Sequence, residues 1–255
     1  MFKIYLIGLI PIVAIAIATW LVSLWKRDVS IVDSVWSLFF LAITVFYSIQ
    51  LPFLGPRGFV LLVLISIWAI RLSAHITLRS WGHPEDSRYQ AIRRNNEPNF
   101  NWKSLYIVFI LQAFLAWIIS APLLVILASP LPVGLSDYLG IGLVVFGIVY
   151  ESIADWQLMR FKSKPENSGK VMDSGLWHYS RHPNYFGEFC VWWGFFLMVM
   201  ASGAWLTLIS PLLMSFLLLK VSGVPILEKD IMDRRPNYRD YITRTNAFFP
   251  WLPKH

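Results

Sequence analysis

Residues 181–224 read "RHPNYFGEFCVWWGFFLMVMASGAWLTLISPLLMSFLLLKVSGV". From residue 186 onward the stretch is almost wholly apolar and too long for one bilayer crossing, which takes about 20 residues. Ser202 and Gly203 in "MASGAW" supply a break, so 186–224 is expected to make two spans, with one long re-entrant helix as the alternative. The apolar run opens with Arg181, His182, Asn184 and Glu188. Charged groups next to hydrocarbon cost roughly 2.5–3.5 kcal/mol each on insertion scales, so such a start implies a use.

The rest of the chain has the same character. Of 255 residues 56% are apolar and 15% charged, and mean hydropathy is +0.56, against about 45–50% apolar in soluble domains. Apolar runs near 4–25, 31–51, 58–79, 104–128 and 136–156 bring the expected total to seven spans in an all-α, polytopic membrane helix bundle. The first run lacks a small-residue cleavage site and is too long for a signal-peptide core, so it is expected to be retained.

Charge orients the bundle. With the N-terminus outside, two Lys/Arg fall in the first inside loop, five in 79–103, five in 160–181 and seven in 220–254. Only Lys3, Arg57 and Arg71 lie elsewhere, the asymmetry expected of inside loops. One integral membrane domain, 1–255, is expected, its cytoplasmic loops 80–103 and 157–185 and tail 225–255 capping one end. The net charge of +7 comes from dispersed residues in no nucleic-acid-reading motif, so a membrane face or a phosphate-bearing ligand explains it better. The protein belongs in an inner membrane if bacterial, or the endoplasmic reticulum if eukaryotic. The sequence does not disclose the oligomeric state.

Ionisable residues inside the spans mark the chemistry. Glu151 and Asp155 are four apart and share a helix face, to which Lys162 returns. They meet either a ligand or a cation such as Arg71. Trp68, Arg71 and His75 form a stripe on the third span facing the bundle interior, where His75 taken alone reads more readily as a buried, satisfied histidine than as a catalyst. Asp33 and Trp36 in "DSVW" share one side of the second span, and Asp33 serves either as a helix-start carboxylate or at an active site. Pro183 favours a helix start near Asn184, where Arg181 and His182 suit a phosphate at the positive helix end. The single Cys190 excludes an intrachain disulfide and a thiolate cluster. Pro183 interrupts the metal-like spacing of His178 and His182, so no metal is expected. Glycine-rich nucleotide fingerprints are absent.

Three stretches, "SGLWHYSRHPNYFGE" (174–188), "ESIADWQLMRFK" (151–162) and "EKDIMDRRPNYRDYITRTNAFFPW" (228–251), resemble in order and spacing the steroid 5α-reductase-like membrane family, and "DSVW" is typical of its bacterial members. The resemblance implies a seven-helix bundle that holds NADPH and reduces the C4–C5 double bond of a 3-oxo steroid or similar enone. It implies cofactor contacts at Asp155, Asn184 and Glu188, helped by Tyr179, Arg181, Lys162, Lys170 and Glu228. The family's animal enzymes polarise the carbonyl with a Glu in the second span and a Tyr in the third. Here Asp33 and Trp68 stand nearest those positions.

Asp33, assisted by Trp36 or a nearby Tyr, is therefore expected to address the substrate carbonyl, with Glu188 at the nicotinamide end and Trp68, Arg71 and His75 toward a lipophilic substrate. For this role Asp33 has to be protonated or bridged by water. "RHPNY" is also similar to the Arg-His-Pro-x-Tyr element of isoprenylcysteine carboxyl methyltransferases, so an S-adenosylmethionine-dependent membrane methyltransferase is the competing reading. A non-catalytic lipid-binding or transport protein is the third.

Overall fold

The computed structural model describes residues 1–221, 223, 224, 228 and 237–254. Of the expected tail cap, 225–227, 229–236 and 255 lie outside the described residues. All regular elements among the described residues are helices. In chain order they are α1 (Phe2–Lys26), α2 (Ile31–Gln50), α3 (Pro56–Ser80), α4 (Ser87–Asn96), α5 (Phe100–Ile119) and α6 (Ala121–Ala128). Then come α7 (Leu135–Lys162), α8 (Pro183–Val199), α9 (Trp205–Val221) and α10 (Tyr238–Arg244). Helices α1, α2, α3, α5, α7 and the stretch Pro183–Ser202 are each long and apolar enough to cross a bilayer, which makes the chain a polytopic membrane helix bundle.

The seventh expected span is shorter than the rest. The turn falls where "MASGAW" predicts it, with Gly203 left-handed at φ 66°. Beyond it α9 starts as a 3₁₀ turn, Trp205–Leu208, and ends as a π-helical turn, Leu217–Val221. Its described length rises about 25 Å at ~1.5 Å per residue, against a hydrocarbon core of about 30 Å. The expected span 104–128 also differs: its helix begins at Phe100 and stops at Ile119. Pro122, which has no N–H to donate, instead sits in the first turn of a separate helix, α6. Helix α7 continues six residues past the expected end at 156, to Lys162.

Two compact units make up the chain, 1–137 with 199–210, and 138–198 with 211–255. In the first, α2 and α3 make the broadest contact. Helix α2 buries Val32, Phe39, Phe40, Ile43 and Tyr47, and α3 buries Leu61, Leu64, Ile65, Trp68 and Ala69, each at helical spacing. The opposite face of α3 stays apolar and exposed at Val63, Ile67 and Ile70, as lipid requires. Gly8 lets α1 approach closely, since a Cβ there would lie 2.4 Å from the Tyr47 ring.

Arg57, placed by charge counting in an outside loop, is fully buried in the first turn of α3. Its Nε donates to Asp137 Oδ1 at 2.8 Å and its Nη1 to the hydroxyls of Ser129 and Ser202. The second Asp137 oxygen accepts from the Gly134 amide. The pair neutralises its own charge, which is how an arginine can be wholly buried.

The second unit is organised by glycine. Gly140 and Gly147 on α7 face Gly194 and Gly187 on α8, so the helices run antiparallel. A Cβ at any of the four would fall 2.6–2.8 Å from the opposing glycine carbonyl oxygen. Absence of side chains brings the backbones together, the usual route to close packing where lipid removes the hydrophobic drive.

The buried ion pair sets a stability test. Arg57→Met leaves Asp137 buried without its cation, so unfolding by SDS titration should show a loss of about 3–5 kcal/mol. Arg57→Met/Asp137→Leu should recover most of it. A single variant as stable as the wild type would show that the pair does not hold the unit.

Candidate functional site

Each unit carries polar side chains that could form a site. In the first they gather where α4 meets the start of α2. Asp86 caps α4, accepting from the Arg88 amide at 2.9 Å, and Arg93 and Arg94 lie in its last turn, where cations suit the helix dipole. Arg88 and Tyr89 both turn to Asp33. Arg88 Nη2 donates to Oδ2 at 2.7 Å and the Tyr89 hydroxyl to Oδ1 at 2.5 Å. Gln112 of α5 donates to the Tyr89 oxygen at 3.1 Å.

Asp33 is thus not the helix cap. It lies in the first turn of α2, while Ser30 occupies the cap position and gives its hydroxyl to Asp28 rather than to the helix; both Asp33 oxygens are taken by donors. The O–H in the cluster belongs to Tyr89, which is buried. Burial, and after it the Asp33 charge and hydrogen bond, push the Tyr89 phenol well up, so it stays protonated at neutral pH. Burial alone would lower the Arg88 guanidinium, but Asp33 and Asp86 outweigh it and raise it further.

Trp36, half-buried, stands edge-on to Phe40, and Phe40 edge-on to fully buried Trp68. The three rings form an aromatic column along α2 and α3 beyond Asp33. Arg71 and His75 are half-buried further along α3. The sequence reading places the loop 80–103 in the cytoplasmic cap but singles out no residue in it. Arg88, Tyr89 and Gln112 are the residues it missed, and the Asp86 cap followed by an amphipathic stretch was the available signal.

In the second unit the loop after α7 is laced to it. The Leu176 amide donates to Gln157 Oε1 and Trp177 Nε1 to the Ala154 carbonyl. Gly175, at φ 62°, sits where a Cβ would strike Gln157. Helix α8 starts on Pro183, one residue before the expected Asn184. Asn184 is half-buried in its first turn, while Glu188, one turn deeper, is buried and accepts from Trp192 Nε1 at 3.1 Å. Across the glycine seam, Glu151 lies beside Gly187, and Glu151 and Asp155 are both buried. The structure therefore gathers Glu151, Asp155, Asn184 and Glu188 at one end of the α7–α8 pair. Lys162 and Lys170 are exposed, at the end of α7 and in the following loop. Tyr179 is also exposed, and its carbonyl accepts from the Trp251 amide.

Arg181 does not point to solvent where a phosphate would arrive. Its Nε and Nη2 grip Glu228 at 2.7 and 3.0 Å, while its Nη1 donates to the Thr245 and Ile242 carbonyls at 2.6 and 3.2 Å. His182 Nε2 lies 2.9 Å from the same carboxylate and its ring stacks on Tyr185. With the Arg181 amide bonded to the Asn246 carbonyl and the Ser180 hydroxyl to that of Phe248, these residues clasp the C-terminal segment to the start of α8. Burial alone would raise the Glu228 carboxyl, but the bonds from His182 and Arg181 and the Arg181 charge hold it at about 2. Burial would likewise lower Arg181, and Glu228 raises it instead.

Fold and clusters define a helical integral membrane protein with buried, paired charges near the ends of its spans. The chain belongs to the DUF1295 family, described as a protein of unknown function, whose sequence pattern matches residues 19–245. That family is related to the steroid 5α-reductase-like proteins. The chain is also similar to uncharacterized protein C594.04c of Schizosaccharomyces pombe, 25% identical over 285 residues that cover 97% of this chain and 80% of the yeast protein. No solved structure matches.

The clasp has a pH signature. Because the Glu228 carboxyl is lowered from 4.5 to about 2 on folding, its stabilisation is complete above pH 4.5 and lost as pH falls toward 2. In detergent, the melting temperature of the wild type should fall over that window more steeply than that of Glu228→Gln, which is less stable at neutral pH. Equal slopes would remove Glu228 from the clasp's titration.

Proposed function

We propose that this chain is an NADPH-dependent membrane reductase that saturates a carbon–carbon double bond conjugated to a carbonyl in a lipophilic substrate such as a 3-oxo-4-ene steroid. The observation that carries the reading is the Tyr89 hydroxyl, buried and held between Asp33 and Gln112. Kinship of the family with steroid 5α-reductase-like proteins supports the redox class.

Conjugate reduction places a hydride on the β-carbon, negative charge on the carbonyl oxygen and a proton on the α-carbon. NADPH, when bound, supplies the hydride. A proton from water completes the α-carbon, and Tyr89 donates a hydrogen bond to the charge on oxygen. Rotation about its Cζ–O bond redirects the proton from Asp33 to a substrate oxygen, while Gln112 keeps the phenol oxygen in place. Arg88 stays on Asp33 and balances its charge when the phenol turns away. A donor fixed in a dry site counts for more than one in water. The column of Trp36 and Phe40 suits the apolar body of the substrate, so the assisting tyrosine beside Asp33 is Tyr89.

For the cofactor, the buried carboxylates fit hydroxyl and amide groups rather than phosphates. Asn184 and Glu188 on one face of α8 suit a carboxamide, and Asp155 suits a ribose hydroxyl. Phosphates fall to the exposed cations Lys162 and Lys170, with the Tyr179 rim beside them. Arg181, His182 and Glu228 then act one step back, by fixing the start of α8.

Two measurements on purified protein test this. NADPH should quench tryptophan fluorescence saturably, and S-adenosylmethionine should not. Tyr89→Phe should lower single-turnover reduction of a 3-oxo-4-ene steroid by about 10²–10³-fold with the NADPH dissociation constant unchanged. Binding of S-adenosylmethionine without NADPH would overturn the reading in favour of a methyltransferase. Full turnover by Tyr89→Phe would remove the phenol from the chemistry.

A further inference from the structure

The last described residues, "FFPWLPK" (248–254), follow the final helix yet are strongly apolar. Pro250 and Pro253 bar a helix there, and the backbone is pinned instead at both ends. The Trp251 amide donates to the Tyr179 carbonyl at 3.0 Å and the Lys254 amide to the Arg244 carbonyl at 2.8 Å. Phe248 and Phe249 pack edge-on against Phe186 and Phe189, with ring centres 5.6–6.2 Å apart. Phe248 is buried in that contact. Phe249, Trp251 and Leu252 are 56, 71 and 70% exposed.

Phe186 and Phe189 belong to the first two turns of a membrane-spanning helix, within about 10 Å of its start at ~1.5 Å per residue. The three exposed side chains are therefore held where hydrocarbon gives way to headgroups, the level that tryptophan prefers in membrane proteins. Exposed Lys254 follows them after Pro253, and Arg244, shared with Asp173, lies beside it, with Asp240 lining the same surface depression. On α7, Trp156 is half exposed under the Arg160 guanidinium, 5.3 Å from its ring centre, repeating the pattern of aromatic below and cation above.

We propose that Phe249, Trp251 and Leu252 form a re-entering interfacial anchor that dips into the bilayer at the α8 entrance, with Lys254 and Arg244 meeting anionic phospholipid headgroups. Apolar continuity with Phe186 and Phe189 and the basic rim together select a lipid surface as the occupant. The consequence reaches the clasp, because the anchored segment includes the Phe248 carbonyl that binds Ser180 and follows directly on the Ile242 and Thr245 carbonyls that hold Arg181. The membrane surface is thereby a structural partner of the start of α8.

The sole cysteine, Cys190, is buried, which opens a direct test. Spin labels are placed at Leu252→Cys and, as a control, at exposed Thr243→Cys in a Cys190→Ala background. Each variant is reconstituted in vesicles of phosphatidylcholine with phosphatidylglycerol, and accessibility to oxygen and to a water-soluble nickel chelate is read. Position 252 should be open to oxygen and closed to nickel, with position 243 the reverse. Adding Phe249→Ser and Trp251→Ser should move the 252 label into water. A nickel-accessible 252 label in the unmodified anchor would overturn the proposal. A label closed to both reagents, with spin–spin broadening, would overturn it in favour of contact with a second copy. No cofactor or turnover enters the measurement, so it stands apart from the enzymatic reading.

Discussion

Close backbone contact between Gly147 and Gly187, repeated at Gly140 and Gly194, is the constraint on which the second unit rests. With no side chain to separate them, α7 and α8 approach until carbonyl oxygens sit where a Cβ would be. Glu151 and Asp155 on one helix, Asn184 and Glu188 on the other, are carried to one end by that contact. Their burial is a by-product of the close approach. A bulkier residue at Gly187 would strike Glu151 itself, and one at Gly147 the Gly187 carbonyl, so either would push the acids apart.

Charge is neutralised locally at each junction. Arg57 meets Asp137, Arg88 meets Asp33 and Arg181 meets Glu228, in each case at 2.7–2.8 Å. Guanidinium suits these positions because its planar fork serves several acceptors at once. Arg181 uses that capacity most fully, binding one carboxylate and two carbonyls. Each of these arginines is therefore committed to a carboxylate of the fold.

Local order in the loops follows the same economy. Helix α4 is polar and capped by Asp86, and it gives Tyr89 a fixed place in the segment between α3 and α5. The segment after α7 is bound through Gln157 and Ala154, so Ser180 and Arg181 arrive at α8 already oriented. Rigid presentation of this kind lowers the entropy cost of binding.

The amino-acid sequence alone determined the properties that depend on composition and short spacing. Apolar runs marked the spans, Ser202 and Gly203 the turn, Pro183 the start of α8, and the four-residue interval the shared face of Glu151 and Asp155. Its resemblance to reductases pointed to the same helix ends. It could not decide which charge meets which. Asp33 finds Arg88 across 55 positions and Arg181 finds Glu228 across 47, and no local pattern encodes either meeting. The role of Arg181 changed for that reason, from a phosphate ligand to a clasp. Tyr89 was legible only as one aromatic among many until the packing of α4 brought its hydroxyl to Asp33. The heptad spacing of four glycines was visible in the chain, but a glycine gains meaning from the backbone opposite it. Which backbone lies opposite is decided only by tertiary structure.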